Sequence, residues 1–470
     1  MLPSGILALC VLHAPVDVVA QDALGVPQGI VQRAIETNPE VRASWHAFLA
    51  AEQDTRLARG GYRPTLDVTA GYGQEWRDGA GWPEGTRSEF SGMAADISMV
   101  QMLYDGFHTR SEVQRFDNAH LVRYFELLES VENTALAAVG AYQDVLRHRE
   151  LVALAEKNLE QHRDIHAQIE ESALAGIARR ADLEQVSGRM SLAESNLMTD
   201  ISNLHDVTAR YLRIVGERPP EIMPELNLSE VRIPVDVREA LHEAYESNPA
   251  FQASLRNIHA TEASVETQRA RYHPRLNLTA RYGTQDYDDR GFGNTRNDGR
   301  IALEFHYNLY NGGRDQARLR RALEEVNQAK ELRDKACVDI RQTVQIAFND
   351  VQRLEEQLRV LNRHRVAADQ VRLAYKDQFV IRERSLLDVL DSENEYFQAS
   401  RAWANAHYDR RIAMARTLAS MGQLLSAMSV VRDGLPTLFD LGAEPLVIDA
   451  TTACPAEDVS DGLITTRHPR

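Results

Sequence analysis

Four short segments of the chain alternate apolar and polar residues, and this alternation predicts four β-strands. In Ile301–Leu309 the apolar residues are separated by polar Glu304, His306 and Asn308. A period of two places the two kinds of side chain on opposite faces of a strand. The other predicted strands are Leu66–Tyr72, Ala95–Leu103 and Leu276–Tyr282. Strands of this length with one apolar face suit a tilted crossing of a bilayer within a barrel.

The alternation also predicts which side chains contact lipid. In the last strand we expect the apolar set to face lipid and the polar set to face a water-filled lumen. The apolar set is Ile301, Leu303, Phe305 and Tyr307, and the polar set is Glu304, His306 and Asn308. Between the strands of each pair, loops are expected over 73–92 and 283–299, which are rich in Gly, Asp and Arg.

A long helix is predicted after Asn311, where the alternation stops. The residues that follow Gly313 are rich in Ala, Leu, Glu and Arg, with neither Gly nor Pro before Gly422. The helix should run from Gly313 to about Gln378, which is roughly 100 Å at 1.5 Å per residue. A second long Pro-free stretch, between Pro83 and Pro219, predicts the same arrangement earlier in the chain. Return helices should follow the long ones and end near Gly216 and Gly422.

The chain contains one structural unit twice. Residues 34–73 align with 244–283, and both segments carry an Asn-Pro pair and a Tyr-x-Pro sequence. We divide the chain into a predicted signal peptide (1–20), a first repeat (21–217), a Pro-rich linker (218–235), a second repeat (236–427) and a polar tail (428–470). Each repeat should open with a helix that follows or includes the Asn-Pro pair, over roughly Gln28–Gly60 and Val237–Arg271.

Composition excludes several functions. The net charge is −16, and without a basic patch this argues against binding of nucleic acid. No catalytic constellation is present, so an enzyme is not expected. His162 and His166 have the spacing of zinc ligands on a helix, but no carboxylate pattern accompanies them. Asp286, Asp288, Asp289 and Gly291 faintly match a calcium loop that lacks its final glutamate, with Asn297 in that place. Whether Cys337 and Cys454 pair is left open.

Four strands cannot close a membrane barrel by themselves, because open edges in lipid leave backbone groups unpaired. Three chains would supply twelve strands in a symmetric trimer. Two or four chains remain alternatives at this point.

Over roughly residues 22–427 the sequence resembles the TolC family of outer-membrane export channels. The resemblance rests on the duplicated Asn-Pro helix, the Tyr-x-Pro strand, the junction Leu309–Gly313 and the turn Asp388–Asp391. It implies a mixed α/β membrane protein: a trimeric twelve-stranded outer-membrane β-barrel continuous with a long periplasmic α-helical coiled-coil barrel. Residues 311–349 look most like the branch that serves type I secretion of proteins. The alternative function is that of a multidrug or metal efflux channel. A third hypothesis is a purely structural periplasmic coiled coil, and the predicted strands argue against it.

The resemblance also implies partners and site residues. The partners would be a periplasmic adaptor, an inner-membrane ABC transporter or proton-driven pump, the exported protein or small molecule, and outer-membrane lipid, with no cofactor. Asp388 and Asp391 match the acidic ring at the periplasmic entrance of the family. Arg384 and Asp182 match its closing network. The alternative without a pore function is that these aspartates lie there only because acidic residues stabilise the first turn of a helix.

Two positions of the second repeat depart from the family pattern at the entrance. Phe379 replaces a tyrosine of the closing network and cannot donate a hydrogen bond. Arg382 replaces a glycine that the first repeat keeps as Gly176. At the other end of the long helices, Gly106, Gly312 and Gly313 are expected to allow tight strand-to-helix turns.

Overall fold

The computed structural model of the chain describes residues 26–77, 88–226, 233–289, 292–446 and 454–455. The segment assigned to a signal peptide, residues 1–20, lies outside these ranges, as do parts of the linker and of the tail. The chain divides into two compact units. The first comprises the described residues of Met1–Ala43, Leu128–Asn248 and Asp339–Val447, and the second those of Ser44–Leu127, Pro249–Val338 and Ile448–Arg470.

The second unit contains an antiparallel sheet in the order β1-β2-β3-β4. The strands are β1 (Thr65–Arg77), β2 (Ser88–Tyr104), β3 (Arg275–Asp289) and β4 (Phe292–His306). Within the chain, β1 and β4 each pair on one side only. The sheet therefore has the two open edges that the sequence predicted, and both need a partner in lipid.

The strands are longer than the hydrophobic pattern predicted, and the described residues of the loops predicted over 73–92 and 283–299 belong to strands. Gly73 pairs with Gly92, and Gly283 pairs with Asp298, inside the regular ladders. Backbone hydrogen bonds extend the strands beyond the segments in which apolar and polar residues alternate. The prediction that β4 continues to Leu309 was also wrong: Arg275, the residue after Pro274, pairs with His306, and no further β3 residue is available beyond it.

The alternation of faces is regular in the pairing of β3 with β4. Leu303 lies opposite Leu278, and Glu304 lies opposite Asn277. On the polar face Arg281 Nη2 lies 3.0 Å from Asp96 Oδ1. On the apolar face Leu303 is 66% exposed in the single chain. Apolar side chains exposed to this extent along a whole face indicate contact with lipid or another protein.

The remaining described residues are mainly helical. The helices are α1 (Val26–Thr37), α2 (Pro39–Gly60), α3 (His108–Leu174), α4 (Arg180–Val215), α5 (Val237–Ser247), α6 (Pro249–Arg269), α7 (Arg314–Val380), α8 (Leu386–Ser420) and α9 (Leu424–Ala427). A short 3-10 turn, Ala270–Tyr272, follows α6. The two long helices, α3 and α7, have 67 residues each. Among the described helices, none combines the length and the apolar character that a membrane span requires.

The opening helix predicted for each repeat is in fact two helices, divided at Asn38 and Asn248. Pro39 and Pro249 start the second helix, because proline lacks an N–H and disfavours helical conformation in the residue before it. The Asn38 carboxamide accepts from Glu40 N at 2.8 Å and donates to Ile214 O at 3.4 Å. Asn248 Nδ2 likewise donates to Ser420 O at 2.9 Å. Each Asn-Pro break is thus bonded to the end of a return helix.

A disulfide joins Cys337 on α7 to Cys454 in the tail, with the two Cα atoms 5.7 Å apart. The sequence had left this pairing open. The bond closes a separation of 117 residues and holds this point of the tail against the buried side of α7.

Candidate functional site: the turns at the ends of the helical hairpins

Two short turns connect the long helices to the return helices, and both have the same backbone geometry. Gly176, between α3 and α4, has φ +70°, and Arg382, between α7 and α8, has φ +64°. In the first turn Ile177 N donates to Ser172 O at 2.9 Å, and in the second Glu383 N donates to Gln378 O at 2.9 Å. These are the hydrogen bonds of a Schellman motif, which normally has glycine in the left-handed position. Arg382 therefore adopts the conformation of the glycine that it replaces.

Replacing Arg382 with glycine is expected to stabilise the second turn by about 1 kcal/mol, because a left-handed conformation strains a residue with a Cβ. Chemical unfolding of the detergent-solubilised trimer, followed by circular dichroism, measures the effect. The matched control is Gly176→Ala in the first turn, where an added Cβ meets no atom within 4 Å and only φ strain is introduced. The control should lose a similar amount, whereas a lower midpoint for Arg382→Gly would contradict the assignment.

Asp388 and Asp182 have the same local role, as the N3 residues that cap α8 and α4. Asp388 Oδ2 accepts from Ser385 Oγ at 2.8 Å and from Ser385 N at 3.1 Å. Asp182 Oδ2 accepts from Arg179 N at 3.2 Å. The hydrogen bonds from Ser385 hold the pKa of Asp388 below its usual range, so the carboxylate stays charged at neutral pH. The capping role is compatible with a pore ring, because it fixes the Asp388 carboxylate at the start of α8.

Asp391 forms an ion pair that the sequence did not predict. Arg189 Nη2, on α4, lies 2.9 Å from Asp391 Oδ1, on α8. The two residues are 202 positions apart, so no local spacing connects them. The one signal in the sequence was that Arg189 lies seven residues after Asp182, on the same face of α4. Asp388 and Asp391 thus provide one capping carboxylate and one carboxylate paired with arginine.

Arg384 contacts α7 within the chain. Its Nε donates to Gln378 Oε1 at 3.0 Å, and its guanidinium lies 4.3 Å from the centre of the Tyr375 ring. The structure does not bring Arg384 to Asp182 in one chain; the expected pairing is with a neighbouring helix pair and stays a prediction. The contacts with α7 leave the Nη groups of Arg384 available for such a neighbour.

Phe379 packs with Tyr375 against an apolar cluster at the turns. The buried members of this cluster come from α3, α4 and α8: Ile165, Ile169, Val186, Leu386, Val389 and Leu390. The aromatic ring that lacks the hydroxyl of the family tyrosine therefore contributes to packing.

Beyond the turns, buried ion pairs connect the same helices. Arg401 on α8 forms two hydrogen bonds with Asp200 on α4, one of them from Nη2 to Oδ1 at 3.0 Å. Asp200 is nearly inaccessible to solvent. Arg372 on α7 lies 3.5 Å from the buried carboxylate of Glu393 on α8, and burial raises the pKa of that glutamate.

The strand-to-helix turns contain the three predicted glycines, all with positive φ: Gly106 (+70°), Gly312 (+73°) and Gly313 (+79°). Gly106 is also closely surrounded. A Cβ there would lie 2.5 Å from His273 Cβ and 2.7 Å from Ala270 O. At Gly312 and Gly313 a Cβ would meet no atom within 4 Å. Backbone conformation favours glycine at all three positions, and close packing requires it at Gly106.

The residues considered as zinc or calcium ligands make other contacts in the structure. His162 Nδ1 donates to Asn158 O at 2.8 Å, and His166 Nε2 lies 3.1 Å from Ser187 Oγ. Asp286 belongs to β3 and accepts from Thr295 Oγ1 at 3.2 Å. Gly291 lies outside the described residues. Across the described ranges, no group of three potential metal-ligating side chains comes together.

The chain is similar in sequence to known outer-membrane proteins. The sequence model of the outer membrane efflux protein family matches residues 30–216 and 240–423, which correspond to the two repeats. Outer membrane efflux protein BepC of Brucella suis is 27% identical over 84% of this chain and 85% of its own length. Outer membrane protein TolC of Escherichia coli is 23% identical over 84% and 82%. Alkaline protease secretion protein AprF of Pseudomonas aeruginosa is 24% identical over 84% and 83%.

Solved structures show the same fold. A membrane protein from Pseudomonas aeruginosa superposes with a TM-score of 0.76 at 17% identity, over 88% of this chain and 99% of that one. The CmeC outer membrane channel of Campylobacter jejuni gives a TM-score of 0.76 at 13% identity, over 85% and 86%. Four strands of each chain thus contribute to a trimeric outer-membrane barrel that is continuous with a periplasmic helical tunnel. The chain belongs to the outer membrane efflux protein family, the TolC family of passive channels rather than enzymes.

Proposed function

We propose that this channel is the outer-membrane conduit of a type I secretion system and exports proteins. The observation that carries the proposal is the match to AprF, a protein named for alkaline protease secretion, along 83% of the length of that relative. The segment 311–349, at the start of α7, supports the same branch. The chain itself would be passive, and an inner-membrane ABC transporter with its periplasmic adaptor would supply the energy.

The alternative is efflux of drugs or metals, which the match to BepC favours, because that relative is named as an efflux protein. Deletion of the gene from its host separates the two. We expect large proteins to disappear from the medium while susceptibility to drugs, detergents and metal salts stays unchanged. Plasmid-borne wild-type protein, at matched trimer levels, should restore secretion. Increased susceptibility with intact secretion would favour efflux and contradict the proposal.

We further propose that the turns described above form the periplasmic entrance. Three copies of Asp388 and Asp391 would form an acidic ring there, and Arg384 would hold it closed by pairing with Asp182 of a neighbouring helix pair. The spare Nη groups of Arg384 support this. So does the placement of Asp182 and Asp388 as equivalent capping residues of the two return helices. Because Asp391 is paired with Arg189, Asp388 would contribute most of the net negative charge of the ring.

Arg384→Ala is expected to increase single-channel conductance in planar bilayers several-fold. An exposed ion pair contributes only about 0.2–1 kcal/mol, but three symmetric copies together can bias a closed state by a few kcal/mol. Asp182→Ala should act similarly, and the double variant should add little, because both changes remove one interaction.

The matched control for this experiment is Arg179→Ala, an exposed arginine in the other turn. Its backbone N–H, which caps onto Asp182, survives the substitution. Its conductance should equal that of wild type. Equal conductance of wild type and Arg384→Ala would exclude Arg384 from the closing network.

A further inference from the structure

A basic groove of about 220 Å³ lies where the sheet meets the start of α7. Its charged lining residues are Arg271, Arg275, Arg314, Asp315 and Arg318, and His306 lies beside them. Four guanidinium groups face one carboxylate, so three positive charges remain with histidine neutral. This concentration of charge contrasts with the chain as a whole, whose net charge is −16.

Three of the four guanidinium groups of the groove have no acidic partner among the described residues. Arg271 Nε donates to Gln268 Oε1 at 3.1 Å, and Arg314 Nε donates to Asn311 O at 3.0 Å. Only Arg318 pairs with a carboxylate, Asp315, at 3.1 Å. Arg275 makes no ion pair or side-chain hydrogen bond with another described residue. Forked donors with spare N–H groups are suited to the oxygens of carboxylate and phosphate.

The strand register places this groove on the lumenal side of the barrel. Arg275 lies opposite His306, and the neighbouring pair on the other face is Leu276 with Phe305. In an outer-membrane barrel the apolar face contacts lipid and the polar face lines the lumen. The groove therefore opens toward the channel, where a lipid headgroup does not reach it.

The neighbouring subunit leaves the groove basic. If β4 pairs with the next β1 as β2 pairs with β3, the pairing of Val100 with Thr279 is repeated as His306 with Thr69 of the partner subunit, and Asp67 of the partner subunit lies two residues further along β1. One further carboxylate then stands beside each groove, and two positive charges remain per subunit. In the trimer, three such grooves surround the channel at one level.

We propose that these three grooves form a lumenal anion-binding ring at the base of the barrel, which takes carboxylate or phosphate groups of the material in transit. The N-terminus of the 67-residue α7 adds a partial positive charge at the same place. Transported anionic groups would leave the acidic entrance, which repels them, and be held transiently at the basic ring. The proposal rests on the protein being a channel and is independent of the kind of cargo.

Block of single channels in planar bilayers tests the proposal with two probes, sodium tripolyphosphate and a ten-residue poly-glutamate peptide. We expect micromolar to millimolar probe to reduce wild-type current, more strongly from the barrel side than from the acidic entrance side. Arg275→Gln with Arg314→Gln should need at least about tenfold more probe for half block, and Arg275→Gln alone about threefold more. Arg281→Gln is the matched control, because Arg281 lies in the same sheet but is paired with Asp96.

Conductance in potassium chloride without probe shows that each variant forms a pore. Loss of anion binding can therefore be distinguished from loss of the channel itself. Block by both probes supports the general anion ring. Block by tripolyphosphate alone assigns the ring to small phosphate-bearing compounds, and block by the peptide alone assigns it to acidic segments of a protein. Absence of block, or equal sensitivity of the double variant and wild type, would overturn the proposal.

Discussion

Gly106→Val is expected to abolish formation of SDS-resistant trimers. The residue has φ +70°, which costs about 1–2 kcal/mol for a side chain with a Cβ. A Cβ would also lie 2.5 Å from His273 Cβ and 2.7 Å from the backbone oxygen of Ala270, and overpacking of this kind costs about 1–3 kcal/mol. Three copies per trimer multiply the penalty, at the turn that directs β2 into α3.

The matched control is Gly312→Val, at the equivalent turn of the second repeat. Its φ of +73° is similar, but the space beside it is open, so only the backbone strain applies. We expect a reduced yield of trimer that is still readily measured by semi-native electrophoresis, and a larger reduction when Gly313 is also replaced by valine. Equal yields for Gly106→Val and wild type would show that the close packing at Gly106 does not limit folding.

Asp200→Ala is expected to lower the free energy of unfolding by about 3–5 kcal/mol. The substitution leaves the guanidinium of Arg401 without its partner in a site where Asp200 is only 2% exposed, and an uncompensated buried charge is strongly unfavourable. Chemical unfolding of the solubilised trimer, followed by circular dichroism, measures the loss.

Two further variants show whether the buried pair is responsible. Asp206→Ala removes a carboxylate from the exposed side of the same helix, where 75% of the side chain is accessible, and should change stability little. Asp200→Ala combined with Arg401→Met should recover part of the loss, because it removes both charges. A single variant as stable as wild type, or a double variant less stable than the single one, would contradict a role for this pair.

The sequence predicted those parts of the fold that depend on local periodicity. The alternation around Ile301 and Leu66 located the strands, and the stretches without proline indicated both long helices and located α7 to within a few residues. The duplicated Asn-Pro pair was recognised, but its consequence was not. One continuous helix and two helices separated by a break have the same amino-acid composition. The break at Asn38 is accompanied by a hydrogen bond to Ile214, which is distant in the sequence.

The parts that were missed depend on contacts between distant residues. Strand pairing carried β1 and β2 through Gly73 and Gly92, where the hydrophobic pattern had ended. The ion pair between Arg189 and Asp391 joins two helices that only the fold brings together. At Arg382 the sequence showed only that the family glycine is replaced, and the structure shows that the hydrogen bonds of the motif hold the arginine in the left-handed conformation.

Cysteine accessibility along β4 tests the central claim, that this sheet is part of a barrel wall between lipid and water. Single cysteines are placed in a variant in which Cys337 and Cys454 are replaced by serine, with trimer formation verified first. We predict that a membrane-impermeant maleimide labels cysteines at Glu304 and His306 in intact outer membranes and spares those at Ile301, Leu303 and Phe305. Equal labelling of the two sets would contradict the barrel.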